Sequence, residues 1–318
     1  MKRSILSAIP FLFVAVGCAP TDRTSVETSS TSTSRSEQST QVASGKPISI
    51  KGSDTMVILG QRFAEEYMKA NPGTVIQVNG GGSGTGIAAL INGTVDLAQS
   101  SRPMKPKEKA DVETNRKASL VEQPVALDAL SVFVHRNNKV KTLSLPQLKE
   151  IYTGKATNWK QVGGSDAQII MYGRENSSGT YEYFKEHVLE KADFAVRVQT
   201  LQGTAAVINA VSKDPNGIGY GGIAYGKDVV LLSVKNDASS AAVVPTEATV
   251  LDGSYPISRK LFFYYLSTAS DSQKNFVSWV LSPAGQAVIK DVGYFQLAGG
   301  SAEGSAAATT NTASPSNP

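Results

Sequence analysis

Three short stretches place hydroxyl and glycine residues between a β-type run and a helical one: GSDT at 52–55, GGGSGTG at 80–86 and GRENSSGT at 173–180. A helix start exposes unpaired backbone N–H groups and a partial positive charge, and glycine lets an anion approach that backbone closely. Serine and threonine add short hydroxyl donors, and Arg174 in the third stretch adds a charge-assisted one. In parallel α/β sheets such loops gather at the carboxyl ends of the strands, where ligands bind. Together the three read as the walls of a pocket for a small, enclosed oxyanion, because a buried anion needs nearly every oxygen hydrogen-bonded.

Spacing argues against other uses of the same residues. A P-loop needs a lysine after its last glycine, and no lysine follows any glycine of 80–86. Gly82, Gly84 and Gly86 give G-x-G-x-G, which is not the dinucleotide fingerprint. Ser83 lies in Gly81-Gly82-Ser83-Gly84-Thr85, without the second glycine of a nucleophile elbow. Only His135 and His187 could act as imidazole bases; the first ends an apolar strand and the second lies in a helix, which fits structural roles. Neither they nor the single cysteine, Cys18, make a recognisable metal-ligand set. A secreted phosphoesterase using Ser83 or Ser178 is the alternative from the enzyme class, and no catalytic residue is assigned.

The elements that must hold these loops follow from periodicity. Ile48 and Ile50 alternate as in a strand; Leu59, Phe63 and Tyr67 recur every four residues as in a helix, which Asn71-Pro72-Gly73 stops. Val75, Ile76 and Val78 resume a strand. A helix from Ser144, a strand near 169–172, a helix after the third loop, and AAVINAVSK followed by IGYGG and VVLLSV continue the alternation. The pattern predicts an α/β protein with mainly parallel sheets flanked by helices, in two lobes of similar size. One tail helix is expected across SQKNFVSWVLSPAGQAVIKDVGY, with Phe276, Val280 and Trp279 packing inward.

The ends have a different character. Lys2 and Arg3, an apolar run from Ile5 to Val16, and Cys18 after small residues form an export signal too short to span a bilayer. The lone cysteine resembles a lipoprotein signal, so Cys18 is expected to carry the lipid and anchor the protein in the periplasm or at the cell surface. From Thr24 to Ser44, 13 of 21 residues are Ser or Thr, a composition that reads as a flexible tether. The stretch 299–318 reads the same way. In between, the apolar content, 41% of the whole chain, suffices for proper cores. A net charge of +4, spread along 318 residues, declares no nucleic-acid face.

Taken in order, GSDTM at 52–56, GGGSGTG at 80–86, VDLAQSSRP at 95–103, LKEIYTGKATNW at 148–159, GRENSSGT at 173–180 and YPISRKLFFY at 255–264 resemble one family. They are similar to the phosphate-binding proteins of bacterial phosphate ABC importers, with the likeness running from about Ile48 to Leu297. The resemblance implies the two-lobed periplasmic binding protein fold of type II, a Venus flytrap with two hinge strands. Lobe 1 would hold 46–128 and 253–298, and lobe 2 would hold 129–252, after a signal at 1–18 and a tether at 19–45. It further implies capture of inorganic phosphate, delivery to ABC permease subunits, a monomer, no cofactor and no metal.

Carried over by motif, the phosphate site would comprise Ser53, Asp54, Thr55, Met56, Ser83, Ser101, Arg102, Arg174, Ser178, Gly179 and Thr180. At Ser101 the family often has an aspartate that accepts the ligand's proton, which leaves Asp54 as the nearest carboxylate for that part. Asn176 stands where Arg174 usually has an acidic neighbour. These departures keep open a different tetrahedral oxyanion, such as sulfate, molybdate or a phosphonate.

Overall fold

A computed structural model describes residues 46–297. The expected signal, Cys18, the tether and the tail 299–318 lie outside the described residues. The chain opens with β1 (Ile48–Gly52), α1 (Val57–Ala70), β2 (Ile76–Asn79), α2 (Ser83–Ile91), β3 (Leu97–Ser100) and α3 (Pro106–Arg116). Here β1 pairs in parallel with both β2 and β3, as two helix crossovers require. The 15-residue strand β4 (Leu120–Val134) follows.

Next come β5 (Thr142–Ser144), α4 (Leu145–Tyr152), β6 (Ile170–Arg174), α5 (Gly179–His187), β7 (Gln199–Leu201), α6 (Thr204–Lys213) and β8 (Gly217–Gly222). After β9 (Val230–Leu231), β10 (Ser233–Lys235) and α7 (Glu247–Leu251), the chain returns through β11 (Ser258–Leu266) and ends in α8 (Asp271–Leu281) and α9 (Pro283–Val292).

The strands form one curled mixed sheet in the order β2-β1-β3-β11-β4-β8-β6-β7, with β9 alongside β4; β5 and β10 make a separate parallel pair. Strand β4 belongs to both halves. Up to Ala129 it runs antiparallel to β11, and from Leu130 onward antiparallel to β8. The outer strands of each half are parallel, while the strands at the junction are antiparallel, an arrangement the alternation of elements does not reveal.

Side chains alternate across the sheet to make two cores per lobe. In lobe 1, Ile50, Leu97 and Phe263 face α1, α8 and α9, whereas Ala98, Phe262 and Tyr264 face α2 and α3. In lobe 2, Leu130, Met171 and Tyr220 pack with Tyr152, Trp159 and Phe184, and Phe133 packs with Val207 and Val211 of α6 on the opposite face.

The single tail helix expected from the sequence is two helices. Pro283 has no N–H to continue the ladder of α8, and Ser282 closes α8 while capping α9 through Gly285 N–H at 3.4 Å. Phe276 and Val280 lie in the core of lobe 1, and Trp279 meets Phe63 and Tyr67 edge-on. Among the described residues no helix is long and apolar enough to cross a membrane.

Candidate functional site

Each glycine-hydroxyl loop ends a strand and begins a helix, and the three loops meet. A 3-10 turn, Asp54–Met56, links β1 to α1 and buries the side chain of Thr55. Ser83 is the first residue of α2, and its hydroxyl accepts the N–H of Ser101 at 3.1 Å. From the other lobe, Ser178 caps α5, its hydroxyl accepting the N–H groups of Thr180 and Tyr181 at 3.2 Å each. That leaves the Ser178 proton free to be donated elsewhere.

Four hydroxyls from four segments converge on the start of α5. Thr55 Oγ1 and Thr180 Oγ1 are 2.8 Å apart, and Ser83 Oγ and Ser101 Oγ are 3.4 Å apart. All four residues are buried. Gly179 sits among them, and a Cβ there would lie 2.3 Å from Ser83 Oγ and 2.9 Å from Ser101 Oγ. Only glycine lets the two lobes approach this closely. Gly82 shows the same constraint from lobe 1: its φ is +94°, and an added Cβ would lie 2.5 Å from the carbonyl of Ser177. Beside it the Gly84 N–H donates to that carbonyl at 2.9 Å, a second direct link between lobes.

Arg174, at the end of β6, is buried and makes four side-chain hydrogen bonds. Its guanidinium donates to Thr204 Oγ1 at 2.8 Å, to Glu175 at 3.0 and 2.8 Å, and to Asp54 Oδ2 at 3.0 Å. The acidic neighbours missing at Asn176 are therefore supplied by Glu175 and Asp54. Burial pushes the Glu175 carboxyl up, but the hydrogen bond and charge of Arg174 outweigh it and hold the group below its ordinary value.

Two sequence-derived assignments sit differently in the structure. Asp54 already holds a partner on each oxygen: Oδ2 takes Arg174 and Oδ1 takes the Gly81 N–H at 2.9 Å. Arg102 turns away from the cluster, because Glu108 grips its guanidinium from both nitrogens at 2.7 Å and Glu182 lies 2.5 Å from its Nε. Of the remaining expected residues, Met56 spends its N–H on the carbonyl of Ser53 at 3.0 Å, while the buried Ser53 hydroxyl has no hydrogen-bond partner.

Several residues around the site carry no signal in their local sequence. Asp128 and Arg259, on β4 and β11, form a buried pair at 2.8 and 2.9 Å, and Arg259 also donates to the carbonyl of Ser101 at 3.1 Å. Tyr225 and Tyr294 donate to the carbonyls of Asp54 and Thr55 at 2.7 and 2.6 Å, fixing the first loop. The imidazoles serve structure: His135 Nδ1 accepts the Asn137 N–H at 3.1 Å, and His187 packs on Tyr183. Among the described residues no group of three acidic, histidine or cysteine side chains is placed to hold a metal.

A hydroxyl-rich cleft between two α/β lobes, closed over a helix start and joined by shared strands, defines a substrate-binding protein of the Venus-flytrap class. Residues 25–284 match the profile of a PBP superfamily domain. The chain is 36% identical over 267 residues to the phosphate-binding protein PstS of Pseudomonas aeruginosa, a match spanning 79% of this chain and 83% of that one. A crystal structure of a putative phosphate ABC transporter substrate-binding protein from Clostridium perfringens, with bound phosphate, superposes with a TM-score of 0.72 at 32% identity, covering 80% of this chain and 100% of that one. An ABC-type phosphate transport receptor from Vibrio cholerae superposes with a TM-score of 0.64 at 28% identity, covering 79% and 100%. The chain belongs to the PstS family of phosphate-binding proteins within the PBP superfamily.

Proposed function

We propose that this protein captures inorganic phosphate between its lobes and delivers it to the permease of an ABC importer. The observation that carries this reading is the meeting of the Thr55, Ser83 and Ser101 hydroxyls of lobe 1 with the Thr180 hydroxyl of lobe 2, around the Gly179 backbone at the N-terminus of α5. These donors, with Ser178 and the charge of Arg174, suit a small oxyanion that must be desolvated completely. Membership of the PstS family supports phosphate as that anion. Closure on ligand gives the permease two distinguishable states to read. The protein acts by binding and release, without turnover, as a monomer held to the membrane by a lipid on Cys18.

Isothermal titration of the exported chain with phosphate, sulfate and molybdate tests the reading. Saturable binding of phosphate well above the other two is expected; no response to phosphate overturns it. One observation favours a second reading, a receptor for another tetrahedral oxyanion: the hydroxyl cluster includes no carboxylate, and Asp54 is committed to Arg174 and Gly81. Tighter binding of sulfate or molybdate in the same titration would support it. Incubation with an aryl phosphate separates both from the enzyme alternative, which requires sustained hydrolysis lost on changing Ser83 or Ser178. Fatty-acid labelling that disappears in Cys18→Ala tests the anchor.

A further inference from the structure

Arg102 immediately follows Ser101, and Glu182 lies two residues beyond Thr180, so one turn behind the hydroxyl cluster the same two segments meet again. There Arg102, buried on the lobe 1 side, approaches Glu182 of α5 with Nε at 2.5 Å, a contact of charge without the alignment of a hydrogen bond, and Lys105 contacts the other Glu182 oxygen. Glu108 meanwhile holds the outer nitrogens of Arg102 at 2.7 Å and accepts the Lys105 N–H at 2.8 Å, all within lobe 1.

We propose that Arg102, Lys105 and Glu182 form a charged clasp that holds the closed receptor shut, acting as positioning residues that set how long the ligand stays. The proposal rests on the phosphate-receptor reading above.

The division of labour within the guanidinium is what makes the clasp work. Its Glu108 pair survives any separation of the lobes, so opening strands no unpaired buried charge on Arg102. The contact to Glu182 crosses between lobes and is gained only on closure. Glu182 also sits in the first turn of α5, where a carboxylate is favourable whether or not the lobes are closed, so its placement costs the open state little. A cavity of about 640 Å³, lined by Arg102, Lys105, Glu182, Tyr183 and Phe262 among others, lies against the clasp, and the Lys105 and Glu182 side chains are 58% and 25% exposed. Salt can therefore reach these charges, and mobile ions weaken pairs that solvent reaches. A contact made after the lobes meet slows release more than it speeds capture, the usual way affinity is tuned.

The test uses the full chain and its Glu182→Gln and Lys105→Met variants, both altered at side chains with solvent contact, with thermal melting as the check of folding. Stopped-flow mixing with phosphate should show release about five- to tenfold faster in Glu182→Gln, capture changed less than about twofold, and a weaker dependence of release on salt. Lys105→Met should show the same pattern with a smaller effect. Small-angle scattering of the ligand-free chains gives a readout that does not depend on phosphate: Glu182→Gln should have a larger radius of gyration than the parent. Release rates and salt dependence equal to those of the parent would overturn the clasp, as would a loss falling equally on capture and release. A parent chain that ignores phosphate would refute the receptor reading instead, leaving scattering to decide the clasp.

Discussion

The hydroxyls of Thr55 and Thr180 lie 2.8 Å apart although 125 positions separate them in the chain. One stands in the turn after β1 and the other in the first turn of α5, so the contact exists only with the lobes together. An anion entering between them would accept a hydrogen bond from each. Thr180→Val keeps the branched shape and removes the donor. A hydrogen bond to a charged group contributes about 1.5–3 kcal/mol, so phosphate affinity should fall roughly 10- to 150-fold. Calorimetric titration measures this, and an affinity equal to that of the parent removes Thr180 from the site.

Gly179 tests the closeness of the lobes and not the chemistry of any donor. In Gly179→Ala the new methyl would need the space 2.3 Å from Ser83 Oγ, and Ser83 cannot yield without releasing the Ser101 N–H it accepts at 3.1 Å. Phosphate affinity should drop by on the order of 100-fold or more, as if at least two donors were lost together. The melting temperature should move little, because the lobe cores do not include this residue. Near-normal affinity in Gly179→Ala would mean that the ligand binds elsewhere.

How much of this was legible in the sequence depends on the range of the interaction. The three loops announce themselves, because each needs glycine, a hydroxyl and a helix start within eight residues or fewer. The lobe cores follow from periodicity for the same reason. The periodicity of the tail runs on as if through one helix, although Ser282-Pro283 is the local signal that breaks it. The partners of the charged residues were not legible. Arg102 and Arg174 look equally suited to an anion, and what distinguishes them is Glu182, 80 positions from the first, and Asp54, 120 positions from the second. Asp54, the carboxylate nearest the expected ligand, also accepts from Arg174 across the lobes, a contact its local sequence does not announce. The antiparallel β4–β11 pairing, which also brings Asp128 to Arg259, depends on strands more than a hundred residues apart.

That pair yields a stability prediction. Asp128 and Arg259 are both buried, and Asp128 also accepts the Ile223 N–H at 3.0 Å, tying the shared strand to lobe 2. Asp128→Asn leaves the guanidinium without its counter-charge, which typically costs about 3–5 kcal/mol. For a chain of this size the thermal midpoint should fall by roughly 6–20 °C. The double change Asp128→Leu with Arg259→Met removes both charges and should recover much of the loss, since a well-packed apolar pair can replace a buried ion pair. Scanning calorimetry of the three variants decides it. A double variant less stable than Asp128→Asn would show that the two residues contribute through separate contacts.

Acid should weaken the molecule through carboxylates held by arginine. For Glu108, burial raises the carboxyl, but the hydrogen bonds from Arg102 and the Lys105 N–H and the charge of both residues together outweigh it, leaving it below its ordinary value of 4.5; Glu175 behaves alike beside Arg174. A carboxylate whose folded value is depressed contributes stability that is fully present above the unfolded value and lost as pH falls through the folded one. Thermal stability should therefore stay nearly level from about pH 8 to pH 5 with respect to these groups and decline from about pH 4.5 downward. Glu175→Gln removes one of the two groups, so its melting temperature should be lower near neutrality and fall less steeply in acid. Parallel acid profiles for the variant and the parent would show that the Arg174–Glu175 contact adds nothing to folding. A shallower profile would assign part of the acid sensitivity to the carboxylate that holds Arg174.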